Sequence, residues 1–178
     1  MYDRFSGGRE RALAVLERSL AEPGTASSAE TVWLVEIDDR PAGVMAAFPV
    51  DEAAERSRAF LRLTLRSTPL WRWPTALYLY WAGGRAAPSP PASALYIDAL
   101  ATSEEFRRRG AARALLAEAE REARRRRLPA LALDTTIENA PARALYGREG
   151  FDEMAYQPPG RGLPGFVALV KPLTDAAE

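Results

Sequence analysis

The chain has 178 residues, 24 basic against 24 acidic side chains and a formal net charge of zero. That suits one globular domain and lacks the basic excess of a dedicated nucleic-acid binder. It contains no cysteine and no histidine, which excludes disulfides, thiolate nucleophiles, Cys- or His-ligated metals and Ser–His triads. Any general base must therefore be a carboxylate, a tyrosine, an amine or a positioned water.

No run approaches the 18 apolar residues of a membrane span, and the charged start does not resemble a secretory signal. A cytoplasmic protein with no membrane partner is expected. From about Gly8 to Ala21 the spacing of Leu13, Leu16 and Leu20 predicts a helix. Thr31–Ile37 and Ala42–Phe48, around the polar turn "DDRP", read as an antiparallel hairpin. Asp51–Arg66 reads as a helix, and the aromatic Trp71–Trp81 fits either helix or strand. A Pro/Gly/Ser loop follows over Gly83–Ser93.

Ala94–Thr102, nearly continuous apolar with one acid, Asp98, predicts a buried central strand. A helix over about Gly110–Arg127 carries the stripe Ala112, Leu115, Leu116, Ala119 and Ala123. "ALALDT" at Ala130–Thr135 is the next core strand, so the two strands form a parallel pair with a right-handed crossover. A short helix over Asn139–Glu149 and two last strands, "FDEMAYQ" and "GFVALVK", complete a single mixed α/β domain over 1–178.

Two arginine clusters flank the long helix. Arg107–Arg109 precede Gly110, Ala111 and Ala112 at its start, where free amides and the positive dipole end suit a phosphate. The same turn reads equally as an ordinary basic loop. Arg124–Arg127 lie at the other end, four residues after Glu120 and Glu122, which predicts a solvated salt-bridged face.

Downstream, in "NAPARALYGREGF", Asn139 is a good N-cap. It shares a helix face with Tyr146, about 10 Å along the axis. The pair could line a narrow slot, or Tyr146 could be a half-buried core aromatic.

Together, "LYIDALATSEEFRRRGAARALL" and "NAPARALYGREGF" resemble the GNAT superfamily of acyl-CoA-dependent N-acyltransferases. Arg107, Gly110 and Ala112 match its phosphate loop. Asn139, Ala142, Leu145, Tyr146, Gly150 and Phe151 match its later motif. Two departures stand out. The chain opens almost directly on a helix, leaving the family's first strand missing or confined to "MYDRFS". About 51–82 forms a helical insertion.

The resemblance implies an acetyl-CoA-dependent N-acetyltransferase with no metal, acting on a small-molecule or protein amine by direct attack on the thioester. The amides of Arg108 to Ala112 would cradle the pyrophosphate, and the arginines, Arg107 to Arg109, would add charge near the 3′-phosphate. Leu100, Ala101 and Thr102 would pair with the pantetheine arm and offer an oxyanion amide. Asn139 would bond the pantetheine, with Ala142 filling the motif's alanine position, and Tyr146 would protonate the leaving thiolate. Asp98 and Asp134 are the candidates for the base; a structural role for Asp98 stays equally open. A non-catalytic acyl-CoA-binding module of the same fold is the alternative. The aromatics of Trp71–Trp81 fit either an acceptor wall or a homodimer contact.

Overall fold

The computed structural model describes residues 7–84, 88–160 and 163–173. Strand or no strand, the segment "MYDRFS" lies outside them. The first element is helix α1 (Arg9–Ala21). Its buried face is Ala12, Val15 and Ser19, whereas Leu13 and Leu20 are exposed. Leu16, between them, is half-buried. Buried hydroxyls tie the next loop together. Thr25 Oγ1 donates to the Ser19 carbonyl at 2.9 Å, and Thr31 Oγ1 donates to the Ser28 carbonyl at 3.0 Å.

Strands β1 (Val32–Ile37) and β2 (Arg40–Pro49) form the hairpin. Only two residues turn the chain, Asp38 and Asp39, both with positive φ. That is the turn whose twist matches paired strands, and Asp tolerates it better than most residues. Helix α2 (Ala53–Arg66) forms as expected, the uncertain aromatic segment resolves as helix α3 (Trp73–Gly83), and both lie between β2 and the central strand. Pro at the start of α3 suits a first helical turn, where its missing N–H costs nothing.

Then come β3 (Ala94–Thr102), α4 (Ala111–Arg125), β4 (Ala130–Thr136), α5 (Ala140–Arg148), β5 (Asp152–Gln157) and β6 (Phe166–Pro172). Among the described residues the sheet has six strands in the order β1-β2-β3-β4-β6-β5. Only β3 and β4 are parallel, as the crossover predicts. Leu95, Ile97, Leu131, Leu133, Val167 and Leu169 bury one sheet face against Leu115, Leu116 and Ala119 of α4 and Tyr146 of α5.

The feature that shapes the site is where β3 and β4 stop pairing. Their register runs from Ala94↔Ala130 to Ile97↔Leu133 and no further, although β3 continues to Thr102 and β4 to Thr136. On its other side β3 stays bonded to β2 as far as Gly43↔Thr102. The cause lies in the same strand. Ala46 pairs Ala99 and Ala47 pairs Ile97, so Asp98 is an extra residue, a β-bulge. A bulge bends its strand and shifts the side-chain phase. The core-facing residues accordingly pass from Leu95 and Ile97 to Leu100. The strands part like an opened hinge, with Asp98 at its corner.

Gly43 fits this bend. A Cβ there would lie 3.0 Å from the Ala101 carbonyl oxygen and 3.3 Å from Leu115 Cδ1, so only glycine lets β2, β3 and α4 meet this closely. At the far end of α4, Arg124, Arg125 and Arg126 of the second arginine cluster are spent on ion pairs. Arg124 meets Glu120 at 3.3 Å and Arg126 meets Glu122 at 2.5 Å, the two pairs expected from spacing.

Candidate active site

The N-cap of α4 is Gly110, at φ 89°, with Arg108 also left-handed at φ 62°. Two left-handed residues in a short turn gather backbone amides on one side, a concavity that favours anions. Among the described residues, no backbone bond takes the amides of Arg108, Gly110, Ala111, Ala112 or Arg113. The first turn of any helix leaves such donors over, and here they open onto a cleft of about 1050 Å³.

The parted strands form the depth of that cleft. Asp98, Leu100, Ala101 and Thr102 line one wall. Having no β4 partner, this stretch of β3 presents a row of backbone donors and acceptors. Asn139, Ala142, Leu145 and Tyr146 line the opposite wall. Asn139 caps α5 by accepting from the Ala142 amide at 3.4 Å, while its Nδ2 donates to Thr135 Oγ1 at 3.1 Å.

Tyr146 is buried, its ring tilted against Phe151 with 5.7 Å between centroids. Burial, and then the charge of Asp134, hold its phenol above the usual range. The proton is therefore firmly kept at neutral pH. No protein group among the described residues takes its hydroxyl, so the phenol is free to serve a molecule in the cleft.

Two carboxylates meet at the hinge. Desolvation, then the neighbouring charge of Asp134, pushes Asp98 up to about 6. Asp98 nevertheless keeps exposed surface, facing the cleft. Its carboxyl is hemmed in by walls, not sealed from water, and anything filling the cleft will desolvate it further. Asp134 is raised too, by burial, against the lowering effect of a hydrogen bond donated by the Tyr96 hydroxyl.

A family model described as the acetyltransferase (GNAT) family matches residues 8–151. The chain belongs to that family. No curated protein matches the sequence. Solved acetyltransferases share its fold at low identity. An N-acetyltransferase from Staphylococcus aureus Mu50 aligns with TM-score 0.68 at 18% identity, over 91% of this chain and 81% of that one. Another acetyltransferase aligns with TM-score 0.63 at 17% identity, over 94% and 82%. A Bacillus anthracis protein described as a streptothricin acetyltransferase, in complex with acetyl coenzyme A, aligns at 0.54 and 12% identity over 80% and 62%.

In this acetyltransferase the structure brings nearly all the expected site residues to one cleft: Asp98, Leu100 to Thr102, Arg107, Arg108, Gly110 to Ala112, Asn139, Ala142 and Tyr146. Arg109 stands apart. It pairs with Asp38 at 3.0 Å and stacks 5.3 Å from the Phe106 ring centroid, with Arg40 also 5.3 Å from that ring. Its guanidinium buttresses the turn and is not on the cleft wall. Ala112, expected in the buried stripe of α4, also changes place. Ala111 is the buried residue and Ala112 borders the cleft, because the helix starts one residue after Gly110. Arg113 and Arg148 line the cleft without having been singled out. A solvated helix arginine and a cleft arginine look alike in sequence, and only the neighbouring strand distinguishes them.

Proposed function

We propose that the acetyltransferase moves an acetyl group from acetyl coenzyme A to an amine nitrogen by direct attack on the thioester. The observation that carries this reading is the parting of β3 and β4 at Asp98. It joins the free amides of the helix start, an unpaired strand edge, two raised carboxyls and a protonated phenol in one cleft. The donor set fits the co-substrate. Backbone amides of Arg108 and of Gly110 to Arg113 suit a pyrophosphate, with Arg107, Arg108, Arg113 and Arg148 adding charge. The free edge of β3 suits the amide groups of a pantetheine arm. The complex of a fold neighbour with acetyl coenzyme A supports the same assignment.

Two protons must leave the nitrogen of an ammonium on its way to an amide. The first passes to Asp98 or Asp134, directly or through a water. The nitrogen then attacks the carbonyl carbon, the C–N bond forms and the C–S bond breaks. Tyr146 protonates the departing sulfur, and the second nitrogen proton replaces the one it gave. A phenol held above its usual range is suited to the acid role, and a carboxyl raised toward neutrality to the base role. These three groups in one cleft favour turnover over a module that only binds acyl-CoA. Calorimetry with acetyl-CoA, followed by thiol release against an amine panel, tests the reading. Binding with thiol release supports it. Binding without release by any amine leaves the binding module, and absence of binding removes both.

A further inference from the structure

A second, smaller cavity of about 270 Å³ opens on the sheet face opposite α4 and α5. Alternation along the strands dictates the side: Leu133 and Leu169 face the core, so Ala132, Asp134, Ala168 and Val170 face away from it. Pro90 and Pro91 of the loop before β3 wall one flank, and Met154 of the edge strand β5 walls the other. This cavity and the large cleft share only Leu133 and Asp134. Among the described residues, Asp134 is therefore the single charged group that lines both.

The lining is chemically one-sided. Beyond Asp134, the Tyr96 hydroxyl and Ser89, the described lining residues are apolar, and no Lys, Arg or Glu is among them. A cationic nitrogen has a partner in Asp134. A carboxylate entering with it would face that same charge with no basic group among the described lining residues to offset it, and a second ammonium would meet proline, alanine and methionine. The volume lies at the small end of ligand pockets. It suits one ring or a short chain.

We propose that the acceptor is a small primary monoamine with an apolar tail and no carboxylate, its nitrogen held at Asp134 and its tail against Pro90, Pro91, Met154 and Val170. This rests on the transferase reading above and specifies its acceptor. The ammonium stays paired with the Asp134 carboxylate until its proton passes to Asp98, directly or through a water, and the freed nitrogen faces the thioester through the gap where the strands part.

The test compares rates of thiol release with acetyl-CoA across propylamine to hexylamine, phenethylamine, phenylalanine, spermidine and a lysine-containing peptide. Hydroxylamine, too small to use the tail site, reports transfer as such once its uncatalysed reaction with the thioester, measured without protein, is subtracted. Each added methylene is expected to raise kcat/KM roughly fourfold until the cavity is full. Phenethylamine should exceed phenylalanine at least tenfold. Met154→Lys, at an exposed position, should narrow that last ratio by favouring the carboxylate, with acetyl-CoA affinity as the folding control. A flat response across the tails, or spermidine or the peptide ahead of every monoamine, overturns the acceptor assignment while transfer to hydroxylamine keeps the transferase reading. Acetyl-CoA binding with no thiol release from any amine, hydroxylamine included, overturns both.

Discussion

Asp98 and Asp134 each lie one residue beyond the last paired positions of the two parallel strands, Ile97 and Leu133. Burial, and then the charge of Asp134, raise the proton affinity of Asp98. With Asp98 as base at about 6, activity falls as pH drops through that value. Asp134→Asn removes both the neighbouring charge and the proposed partner of the acceptor nitrogen, so kcat/KM should fall and the acid limb of the remaining activity should move to lower pH. The check is a pair of pH–rate profiles with one amine, so that the amine's own titration cancels. An unmoved limb would show that the two carboxyls are not coupled.

The same corner costs stability. The folded state holds the Asp98 proton more tightly than the usual 3.8, so native stability is greatest below 3.8 and is lost as pH rises through about 6. Asp98→Asn should therefore raise Tm at pH 7.5 and lose that advantage near pH 4. The gain is about 2–4 °C for each kcal/mol recovered, moderated because the carboxyl also meets water. Thermal melts at the two pH values decide it, and an equal effect at both would contradict the linkage.

Tyr146→Phe keeps the ring contact with Phe151 and removes only the hydroxyl. We expect kcat to fall about 10²-fold while acetyl-CoA affinity stays within about twofold and the melting curve is little changed. Steady-state kinetics with parallel calorimetry would separate loss of an acid from loss of a binding contact.

The first arginine cluster divides by residue. Gly110→Val forces a β-branched residue to φ 89°, at about 1–2 kcal/mol of strain. It also puts bulk on the amide concavity, so acetyl-CoA affinity should drop roughly tenfold, or about 1.4 kcal/mol. Arg109→Ala loses only an exposed ion pair and a ring contact, about 1 kcal/mol of stability, with affinity unchanged. Equal affinity losses in the two variants would mean that the guanidinium, not the turn, holds the anion.

Periodicity and turn chemistry made the strand–helix–strand centre legible, because those residues satisfy local rules and global packing together. The motif from Asn139 to Phe151 pointed to the second cleft wall for the same reason. The bulge at Asp98 was not legible. It depends on how β2 registers against β3, and Ala46, Ala47 and Ala99 carry no signal of a skipped pairing. Leucine spacing marks α1 as a helix without marking its inward face, which is Ala12, Val15 and Ser19. The place of Arg109 has no sequence sign, because its partners, Asp38 and Phe106, are brought to it by the hairpin and the turn.

The central claim is that the parted strands receive acetyl coenzyme A and bring its thioester to an amine. Calorimetric titration of the intact chain with acetyl-CoA, with free thiol followed after adding phenethylamine, tests it most directly. The account predicts one-to-one binding and amine-dependent release of one thiol per acetyl group transferred. No binding heat at hundreds of micromolar acetyl-CoA, or a thiol signal indifferent to added amines, would contradict it.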